Sequence, residues 1–369
     1  MVSAKDIFAH WLVQETNGKS LPLRNSLLLQ TKPYLYGPMA VSLVTGGAGF
    51  IGAHVTNELI RLGHKVVVLD DLSGGFSENV HPQAIFVEGS VVDHVLLGQL
   101  FTEHRFDYVY HFAAYAAEGL SHFIKRFNYT NNLIGSTNLI TESVKHKVKC
   151  FVFTSSIAVY GALEPPMTET MTPVPEDPYG IAKLAVEQDL RVTHEMFGLN
   201  YVIFRPHNVY GEFQNIGDRY RNVVGIFMNQ LMQGKALTVF GDGSQTRAFS
   251  YIGDIAPVMA NCVNVPAAMN QVFNIGADRD FSVNELAKET MKAIGIEGEL
   301  RHLEARNEVQ HAHADHSKIK SVFGEGTVTS LSEGLARMAA WAKKAGVRKS
   351  KRFGEIEILE KLPPVWLED

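Results

Sequence analysis

The sequence predicts an α/β fold in which a doubly wound parallel sheet is followed by a smaller C-terminal lobe. Three observations favour it. Short apolar runs typical of buried strands alternate with helical patterns between residues 41 and 204. A glycine-rich turn at residues 45–52 joins the first such strand to the first helix. Asp70 ends the second strand, at a distance from Gly52 that is typical of nucleotide-binding sheets.

Length and composition fit one large domain or two closely joined domains. The chain has 369 residues, 46% of them hydrophobic, and its formal net charge of −5 argues against nucleic acid as the main partner. The two cysteines, Cys150 and Cys262, fit a reducing compartment and exclude a disulfide scaffold. No apolar run approaches the ~20 residues that span a bilayer, and no secretory signal stands out, so we expect a cytoplasmic protein.

Strands are predicted in the first half where short runs are mostly apolar, and helices where apolar residues recur every three or four positions. The predicted strands span residues 41–44, 64–69, 84–87, 106–111, 151–154 and 201–204. The predicted helices span residues 50–62, 91–104, 121–147 (with a break) and 179–197. Five prolines between residues 165 and 178 indicate a loop before the last of these helices.

The glycine-rich turn lies between a strand and a helix, which is the setting that a dinucleotide site requires. Gly46 permits the tight turn, Gly49 lets the backbone approach a pyrophosphate, and Gly52 lets the helix lie close to the strand. Phe50 and Ile51 begin the helix, whose unpaired amides and positive dipole end favour phosphates.

Asp70, with Asp71 beside it, is the expected partner of the adenosine ribose. A carboxylate at this strand end can accept both ribose hydroxyls and would repel a 2′-phosphate, which favours NAD over NADP. The small residues Ala113 and Ala114 follow the fourth strand and allow the backbone to pack flat against the cofactor. Asn132, in the next helical region, is also assigned to the NAD site.

The alternation of strands and helices is lost beyond Arg205, where glycine, asparagine and charged residues become dense. We therefore expect an N-terminal extension (1–39), a NAD-binding domain (40–205) and a mainly substrate-binding lobe (206–369), with 251–274 returning to the NAD-binding domain. Within the lobe, helices are predicted at 222–232, 254–263, 283–294 and 331–344, and a strand at 237–240. The basic residues between 343 and 352 are expected to form a solvated face, with a basic binding patch as the alternative.

Tyr179 and Lys183 lie one helical turn apart and therefore share a face of their helix. Ionising a tyrosine of pKa ~10 at pH 7 costs roughly 4 kcal/mol. A neighbouring ammonium and a positive nicotinamide ring lower this cost, so Tyr179 can serve as a general base for an alcohol proton. Ser156, after the fifth strand, can hydrogen-bond the same alcohol. A surface Tyr–Lys pair has the same spacing, and only Ser156 and the glycine-rich turn favour the catalytic interpretation.

These motifs resemble the extended short-chain dehydrogenase/reductases, and among them the NAD-dependent nucleotide-sugar epimerases and dehydratases. The resemblance covers about residues 41–316 and is most like UDP-glucose (UDP-galactose) 4-epimerases or UDP-glucuronate 4-epimerases. It rests on residues 45–52, Asp70, 111–114, 154–161, Tyr179 with Lys183, and 205–208. It implies a Rossmann-type fold, a tightly held NAD, and a homodimer in which the helices at 121–147 and 179–197 form a four-helix bundle.

The resemblance also implies a chemistry and a substrate site. Tyr179 would take the proton of the sugar C4 hydroxyl while C4 passes hydride to the nicotinamide, and the 4-keto sugar would rotate before hydride returns to its other face. Ser156 would orient the hydroxyl, and Lys183 would hold the nicotinamide ribose and tune Tyr179. The expected contacts to the nucleotide end of the substrate are Asn208, Asn222, Arg247 and Arg306. A surface salt bridge is the alternative interpretation of Arg247.

Residues 157 and 158 limit the types of reaction that the site can catalyse. The related 4,6-dehydratases and uronate decarboxylases carry an acidic residue in this segment, whereas Ile157 and Ala158 cannot move a proton. This favours an isomerase that epimerises a UDP-sugar of the glucose/galactose type at C4. UDP-glucuronate 4-epimerisation, decarboxylation and 4,6-dehydration are the alternatives within the fold, and a non-catalytic NAD-binding sensor is the alternative from a different class.

Several positions depart from the family pattern or leave the identity of the sugar undecided. Ser90 stands where an aspartate often contacts adenine, and Ala116 replaces a lysine. Ala312 occupies a gatekeeper position that is tyrosine in glucose-restricted epimerases, which leaves room for a larger sugar. Arg219 and Arg221 either meet a sugar carboxylate or are ordinary exposed arginines.

The histidine-rich stretch at residues 311–316 is expected to be a solvated loop. His311, His313 and His316 have no carboxylate or thiolate set at ligand spacing, so no metal site is predicted.

Overall fold

The computed structural model describes residues 39–305, 309–349 and 352–367. The predicted N-terminal extension therefore lies outside the described residues except for Met39, and the predicted substrate contact Arg306 lies outside them as well.

The described residues form strands and α-helices that alternate up to β6 and are less regular beyond it. The strands are β1 (Val41–Thr45), β2 (Lys65–Asp70), β3 (Ile85–Glu88), β4 (Tyr108–His111), β5 (Cys150–Thr154), β6 (Tyr201–Pro206), β7 (Val209–Tyr210), β8 (Leu237–Phe240), β9 (Thr246–Ala248), β10 (Ser250–Tyr251), β11 (Gln271–Ile275), β12 (Asp280–Ser282), β13 (Leu300–Leu303) and β14 (His311–Ala312). The α-helices are α1 (Phe50–Arg61), α2 (His94–His104), α3 (Glu118–Ser121), α4 (Lys125–Tyr129), α5 (Gly135–Lys145), α6 (Pro178–Phe197), α7 (Val223–Met232), α8 (Ile252–Asn261), α9 (Val283–Ile294), α10 (Ser317–Phe323) and α11 (Leu331–Ala345). A π-helical turn, Thr130–Ile134, joins α4 to α5 and is the break expected in this region.

Seven parallel strands form the central sheet in the order β11-β6-β5-β4-β1-β2-β3. In register, Val44 of β1 lies between Val68 of β2 and Tyr110 of β4. The strand order reverses at β1, and ligands of such sheets bind outside the carboxyl ends of the strands at this point. The predicted doubly wound parallel sheet of the Rossmann type is therefore confirmed.

An apolar core covers each face of the sheet. One contains residues of α1, α7, α8, α9 and α11, and the other contains residues of α2, α5 and α6. Strand β11 was not predicted as a strand, and it forms the edge of the sheet beside β6. Helix α8 packs against α1, and its Ala260 carbonyl accepts the hydroxyl of Tyr110 at 2.8 Å. The division of the chain at residues 205 and 206 stays a prediction.

Capping residues decide where the helices begin. Helix α2 begins three residues later than predicted because Asp93 accepts the amides of Val95 and Leu96, both at 3.0 Å. Helix α6 begins at Pro178, after Asp177 accepts the amide of Gly180 at 2.9 Å. None of the described helices has the length and apolarity needed to cross a membrane.

A buried polar network fixes α6 on the sheet. Glu187 of α6 accepts hydrogen bonds from the Arg205 guanidinium, at 2.9 Å from Nε, and from the Ser155 hydroxyl. Arg205 also donates to the Tyr160 hydroxyl at 2.8 Å, and this hydroxyl donates to Asn274 Oδ1 at 2.8 Å. The network therefore joins α6 to the ends of β5 and β6 and to β11.

The basic residues near the C-terminal end are only partly a solvated face. Lys343, Lys344 and Lys349 are exposed, as expected. Arg348 is not, because its guanidinium lies 3.7 Å from the ring centre of Phe76 and pairs with Glu78 at 3.0 Å.

Candidate active site

A cavity of about 500 Å³ opens at the carboxyl edge of the central sheet. Its volume lies in the range of small-molecule sites. The predicted site residues that line it are Gly46, Gly49, Phe50, Ile51, Gly52, Asp70, Asp71, Ala113, Ala114, Ser156, Tyr179, Lys183, Asn208, Asn222 and Arg247. The fold thus brings together all of the predicted site residues except Asn132, which does not line the cavity, and Arg306, which the structure does not describe.

The glycine-rich turn packs directly against backbone atoms. A β-carbon on Gly52 would lie 2.2 Å from the carbonyl oxygen of Gly46, so no larger residue fits while α1 stays this close to β1. Gly46 has a φ of +71°, and a β-carbon there would lie 2.6 Å from the amide nitrogen of Ala113. The first turn of α1 therefore borders the cavity, and its unpaired amides can bind a pyrophosphate. We call the backbone of residues 46–52 the glycine cradle.

Asp70 is held at the wall of the cavity by backbone amides. Its carboxylate accepts the N–H of Ala48 at 3.0 Å and that of Leu72 at 2.9 Å. Burial raises the pKa of Asp70, and these two hydrogen bonds act in the opposite direction. Each carboxylate oxygen retains a lone pair, so the group can still accept ligand hydroxyls. The glycine cradle and this carboxylate together fit NAD.

Ser156, Tyr179 and Lys183 meet where β5 ends and α6 begins. Ser156 follows β5, and its hydroxyl oxygen accepts the amide of Ala158 at 3.1 Å. Lys183 is 2% exposed, and its ammonium donates to the carbonyl of Thr154 at 2.8 Å. The same nitrogen lies 5.7 Å from the ring centre of Tyr179. All three predicted catalytic side chains therefore face one cavity within a small space.

Burial shifts the pKa of both titratable groups in this trio toward the uncharged form. Burial raises the pKa of the Tyr179 phenol above its usual range, and the negative charge of Glu118 adds to this, whereas a hydrogen bond with Ser156 and the charge of Arg221 oppose it. Burial lowers the pKa of Lys183 to about 7. The expected acidification of Tyr179 therefore does not come from the groups of the chain itself, because desolvation outweighs them.

Glu118 is a cavity residue that sequence reasoning missed. It begins α3, lines the cavity together with His122, and lies close enough to Tyr179 to raise the pKa of the phenol. Helix α3 is tied to the start of α6, because the Ser121 hydroxyl oxygen accepts the amide of Tyr179 and donates to Asp177, both at 3.3 Å. The only available signal was an acidic residue shortly after Ala113 and Ala114, in a segment that sequence patterns describe poorly.

Asn132 supports the cavity wall and does not itself line the cavity, so its assignment to the NAD site stays a prediction. Its side chain accepts the amide of Tyr115 at 2.9 Å and donates to the Tyr115 carbonyl at 3.1 Å and to Asn128 at 2.7 Å. These hydrogen bonds use both N–H donors of the amide group and one lone pair of its oxygen, and Asn132 is 1% exposed. The neighbouring Asn131 lines the cavity.

The predicted nucleotide contacts Asn208, Asn222 and Arg247 also line the cavity. Asn208 and Asn222 both have a positive φ, of 41° and 61°, a conformation that asparagine tolerates better than most residues. Arg247 donates to the carbonyls of Thr246 at 2.8 Å and Gln310 at 3.1 Å. Ala312, at the predicted gatekeeper position, pairs with Arg247 across β14 and β9 and also lines the cavity.

The two arginines considered for a sugar carboxylate differ in position. Arg221 lines the cavity, and Arg219 does not. The Arg221 guanidinium is paired with Asp218 at 2.7 Å and lies 4.6 Å from the ring centre of Tyr115. Arg221 is therefore already neutralised by a partner from its own loop.

The histidine-rich stretch is not entirely a solvated loop. His316 is 3% exposed, bonds His207 at 2.9 Å and pairs with Asp278 at 2.7 Å, so this part of the expectation is wrong. His311 is exposed, as expected. Among the described residues, no group of three or more histidine, cysteine, aspartate or glutamate side chains is placed to hold a metal ion.

Comparison with known proteins assigns the family. Residues 42–276 match the family described as the NAD dependent epimerase/dehydratase family. The chain belongs to this family, which confirms the resemblance seen in its motifs, and its cofactor is NAD.

Individual relatives are similar along nearly their whole length. The chain is 34% identical over 306 residues to a putative UDP-glucose 4-epimerase of Methanocaldococcus jannaschii, a match that covers 82% of this chain and 98% of the relative. The crystal structure of UDP-glucose 4-epimerase from Thermotoga maritima with UDP-glucose is 36% identical, with a TM-score of 0.79 and coverage of 83% and 99%. That of UDP-glucuronic acid 4-epimerase from Bacillus cereus, with UDP-glucuronic acid and NAD, is 29% identical, with a TM-score of 0.76 and the same coverage. This chain therefore carries residues that these relatives lack.

The close packing at Gly52 generates a testable prediction. We expect Gly52→Ala to lose most of the NAD that copurifies with the protein, because the added β-carbon forces α1 away from Gly46. Gly98→Ala in α2 is the matched control, because the nearest atom to its β-carbon would be 4.0 Å away. The control should keep its NAD and gain about 0.5–1 kcal/mol of stability. The NAD-to-protein ratio after denaturation measures the effect, and full NAD content in Gly52→Ala would contradict the assignment.

Proposed function

We propose that the protein is an NAD-dependent isomerase that interconverts the C4 epimers of a UDP-sugar of the glucose/galactose type. One observation carries the proposal: Ser156, Tyr179 and Lys183 line the same cavity as the glycine cradle. The family membership and the names of the relatives support it. A non-catalytic NAD sensor would not need this trio of side chains facing the cofactor cradle.

The proposed roles follow from the chemistry of each side chain. Tyr179 takes the proton of the C4 hydroxyl and later returns it, and Ser156 donates a hydrogen bond that orients the sugar oxygen. Lys183 is held at a fixed place by the Thr154 carbonyl, and its ammonium would supplement the positive nicotinamide ring, which is needed to stabilise the ionised form of the buried Tyr179. The burial of the site excludes water, so a keto sugar is protected until the second half of the reaction.

We assign the NAD site to the residues of the cradle and its rim. The pyrophosphate would be bound by the amides around Gly46, Gly49, Phe50, Ile51 and Gly52, and the adenosine ribose by Asp70 and Asp71. Ala113 and Ala114 would form a flat wall beside the cofactor, and Tyr179 and Lys183 would contact the nicotinamide ribose. When bound, NAD supplies the acceptor and donor of hydride at C4 and a positive ring beside the phenol.

The substrate would extend from Ser156, Tyr179 and Lys183 toward the part of the cavity that residues of the C-terminal lobe line. We assign Asn208, Asn222 and Arg247 to the nucleotide end of the UDP-sugar, because they line the cavity there and offer donors to phosphate oxygens. Arg306 stays a prediction from the sequence.

Two features favour a neutral sugar and simple epimerisation. Ile157 and Ala158 line the cavity in the segment where elimination or decarboxylation would need a carboxylate. The side chains near Tyr179 disfavour a uronate, because Glu118 adds negative charge and Arg221 is already paired with Asp218. UDP-glucuronate is therefore the second candidate. What favours it is that an arginine, Arg221, lines the cavity, although this arginine is paired with Asp218.

We also propose a homodimer built on α5 and α6. Ile181, Val192 and Met196 of α6 are 44%, 44% and 74% exposed, and their spacing places them on one face of the helix. Ile134, just before α5, is 49% exposed. Pairing of these helices across a two-fold axis would cover the apolar side chains. The two free, buried cysteines fit the expected cytoplasmic location.

The reaction itself is tested with two substrates. Incubation with UDP-glucose should yield a 4-epimer that separates by chromatography, and incubation with UDP-glucuronate should yield less product and no carbon dioxide. Tyr179→Phe should lower kcat by about 10²–10⁴-fold while NAD stays bound, because only the proton acceptor is removed. Tyr108→Phe, which alters a tyrosine away from the cavity, is the control. Full activity of Tyr179→Phe would exclude the phenol as the base.

Glu118 provides a test through pH. Glu118→Gln removes a negative charge near Tyr179 and so lowers the pKa of the phenol. The base form then exists at lower pH, and the acidic limb of the kcat profile should move downward by up to about one pH unit. Glu164→Gln, an exposed residue outside the cavity, should leave the profile unchanged. An acidic limb that moves upward in Glu118→Gln would contradict the placement of this charge.

The dimer is tested by light scattering. The described apolar face predicts a mass of about twice 40.9 kDa for the wild type. Val192→Asp with Met196→Asp should give the monomer mass, because two buried carboxylates at the interface oppose association. A wild type that is already a monomer would reject the proposed interface.

A further inference from the structure

The C-terminal segment, residues 352–367, packs back onto the chain between β4 and α4. Its Leu362 and Trp366 are 7% and 3% exposed and form a separate apolar cluster with Ala117, Leu120 and Ile124. Chain ends are poorly ordered unless something ties them down. The burial of Leu362 and Trp366 in this cluster indicates a firmly seated segment.

One contact of the segment caps α4. The Glu357 carboxylate accepts the amides of Arg126 and Phe127, both at 3.0 Å, and the Glu357 amide donates to the carbonyl of Phe123 at 2.9 Å. Amides in the first turn of a helix have no partner within it, and the residue before α4 provides no side-chain cap. Glu357 therefore supplies this cap from a distant part of the chain.

A second contact joins the segment to two cavity residues. The amide of Phe353 donates to the hydroxyl of Tyr220 at 3.0 Å, and the Phe353 ring lies 5.1 Å from that of Tyr115. The ring of Trp366 lies 5.4 Å from that of Tyr220. Tyr115 and Tyr220 both line the cavity, and Arg221, next to Tyr220, stacks on Tyr115.

The two cavity tyrosines belong to separate stretches of chain, one after β4 and one before α7. Asn132 already holds the backbone of Tyr115, and Arg221 stacks on the Tyr115 ring, so the segment adds to existing contacts. Any freedom that the two stretches would regain without the segment would be lost again when a ligand binds, and that ordering costs binding free energy. Phe353 touches both tyrosines, so the segment holds the two stretches in a fixed relation before the ligand arrives.

We propose that residues 352–367 are a positioning element for the end of the cavity formed by Tyr115, Tyr220 and Arg221, which raises the affinity for the sugar nucleotide. The identity of the ligand rests on the proposed function, whereas the ordering of the two stretches does not. The contacts of the segment described above involve no residue assigned to NAD, so NAD retention should not depend on it.

The test uses Glu357→Ala and Phe353→Ala in the full chain. Each should raise KM for UDP-glucose about tenfold, lower kcat by much less than this and leave NAD content unchanged, as expected when the main loss is in substrate binding. Hydrogen exchange should become faster at residues 115–122 and 218–222 and stay the same at 46–52. A purely structural role would instead lower NAD content, kcat and the unfolding temperature together.

Two control variants sharpen the test. Glu355→Ala changes a glutamate whose side chain is 84% exposed and whose ion pair with Arg126 is 3.8 Å long, so KM should not change. Phe353→Tyr keeps the ring and should restore a KM close to that of the wild type.

The outcomes separate this inference from the proposed function. Unchanged exchange and unchanged KM in both alanine variants overturn the positioning element even if the wild type is an epimerase. If the wild type does not convert UDP-glucose, the proposed function fails, and hydrogen exchange still decides: faster exchange in both stretches supports the positioning element, and wild-type exchange overturns it.

Discussion

The active site depends on one buried ion pair, between Glu187 and Arg205. Their side chains are 4% and 5% exposed, so each charge requires the other, and removal of one partner from such a pair costs about 3–5 kcal/mol. Tyr179, Lys183 and Glu187 follow at intervals of four residues and lie along one stripe of α6. The ion pair at the end of this stripe sets the rotation of the helix, and the rotation in turn aims Tyr179 and Lys183 at the cavity.

The same seating of α6 determines the electrostatics of the site. It removes Lys183 from water and leaves it with the carbonyl of Thr154, which is why burial lowers the pKa of Lys183 to about 7. It also raises the pKa of Tyr179, so the phenol keeps its proton until another positive charge arrives. The chain therefore fixes the geometry of proton transfer, and the bound cofactor completes its energetics. Because the phenol needs the positive charge of the bound cofactor, Tyr179 lies in the same cavity as the glycine cradle.

Sequence reasoning succeeded where the relevant contacts are local. The glycine-rich turn and the spacing of Tyr179 and Lys183 need only a strand, a turn and a helix to become a site. It failed where tertiary contacts decide. The contact of Asn132 with the backbone of Tyr115 was not predicted, because no local pattern connects these two segments. Glu118 was missed because a short helix in an irregular segment carries it. Strand β11 was missed because its burial comes from its place beside β6.

The central claim is that one oxygen-bound proton moves to Tyr179 while the hydrogen on C4 never exchanges with solvent. The most direct measurement is the conversion of UDP-glucose in D₂O, followed by proton NMR of the product. The account predicts that the 4-epimer keeps its full C4 proton signal, because this hydrogen would move as hydride to NAD and back and is carbon-bound, hence not exchangeable with water, in both places. Loss of that signal through deuterium incorporation at C4 would show that the carbon itself is deprotonated and would contradict the account.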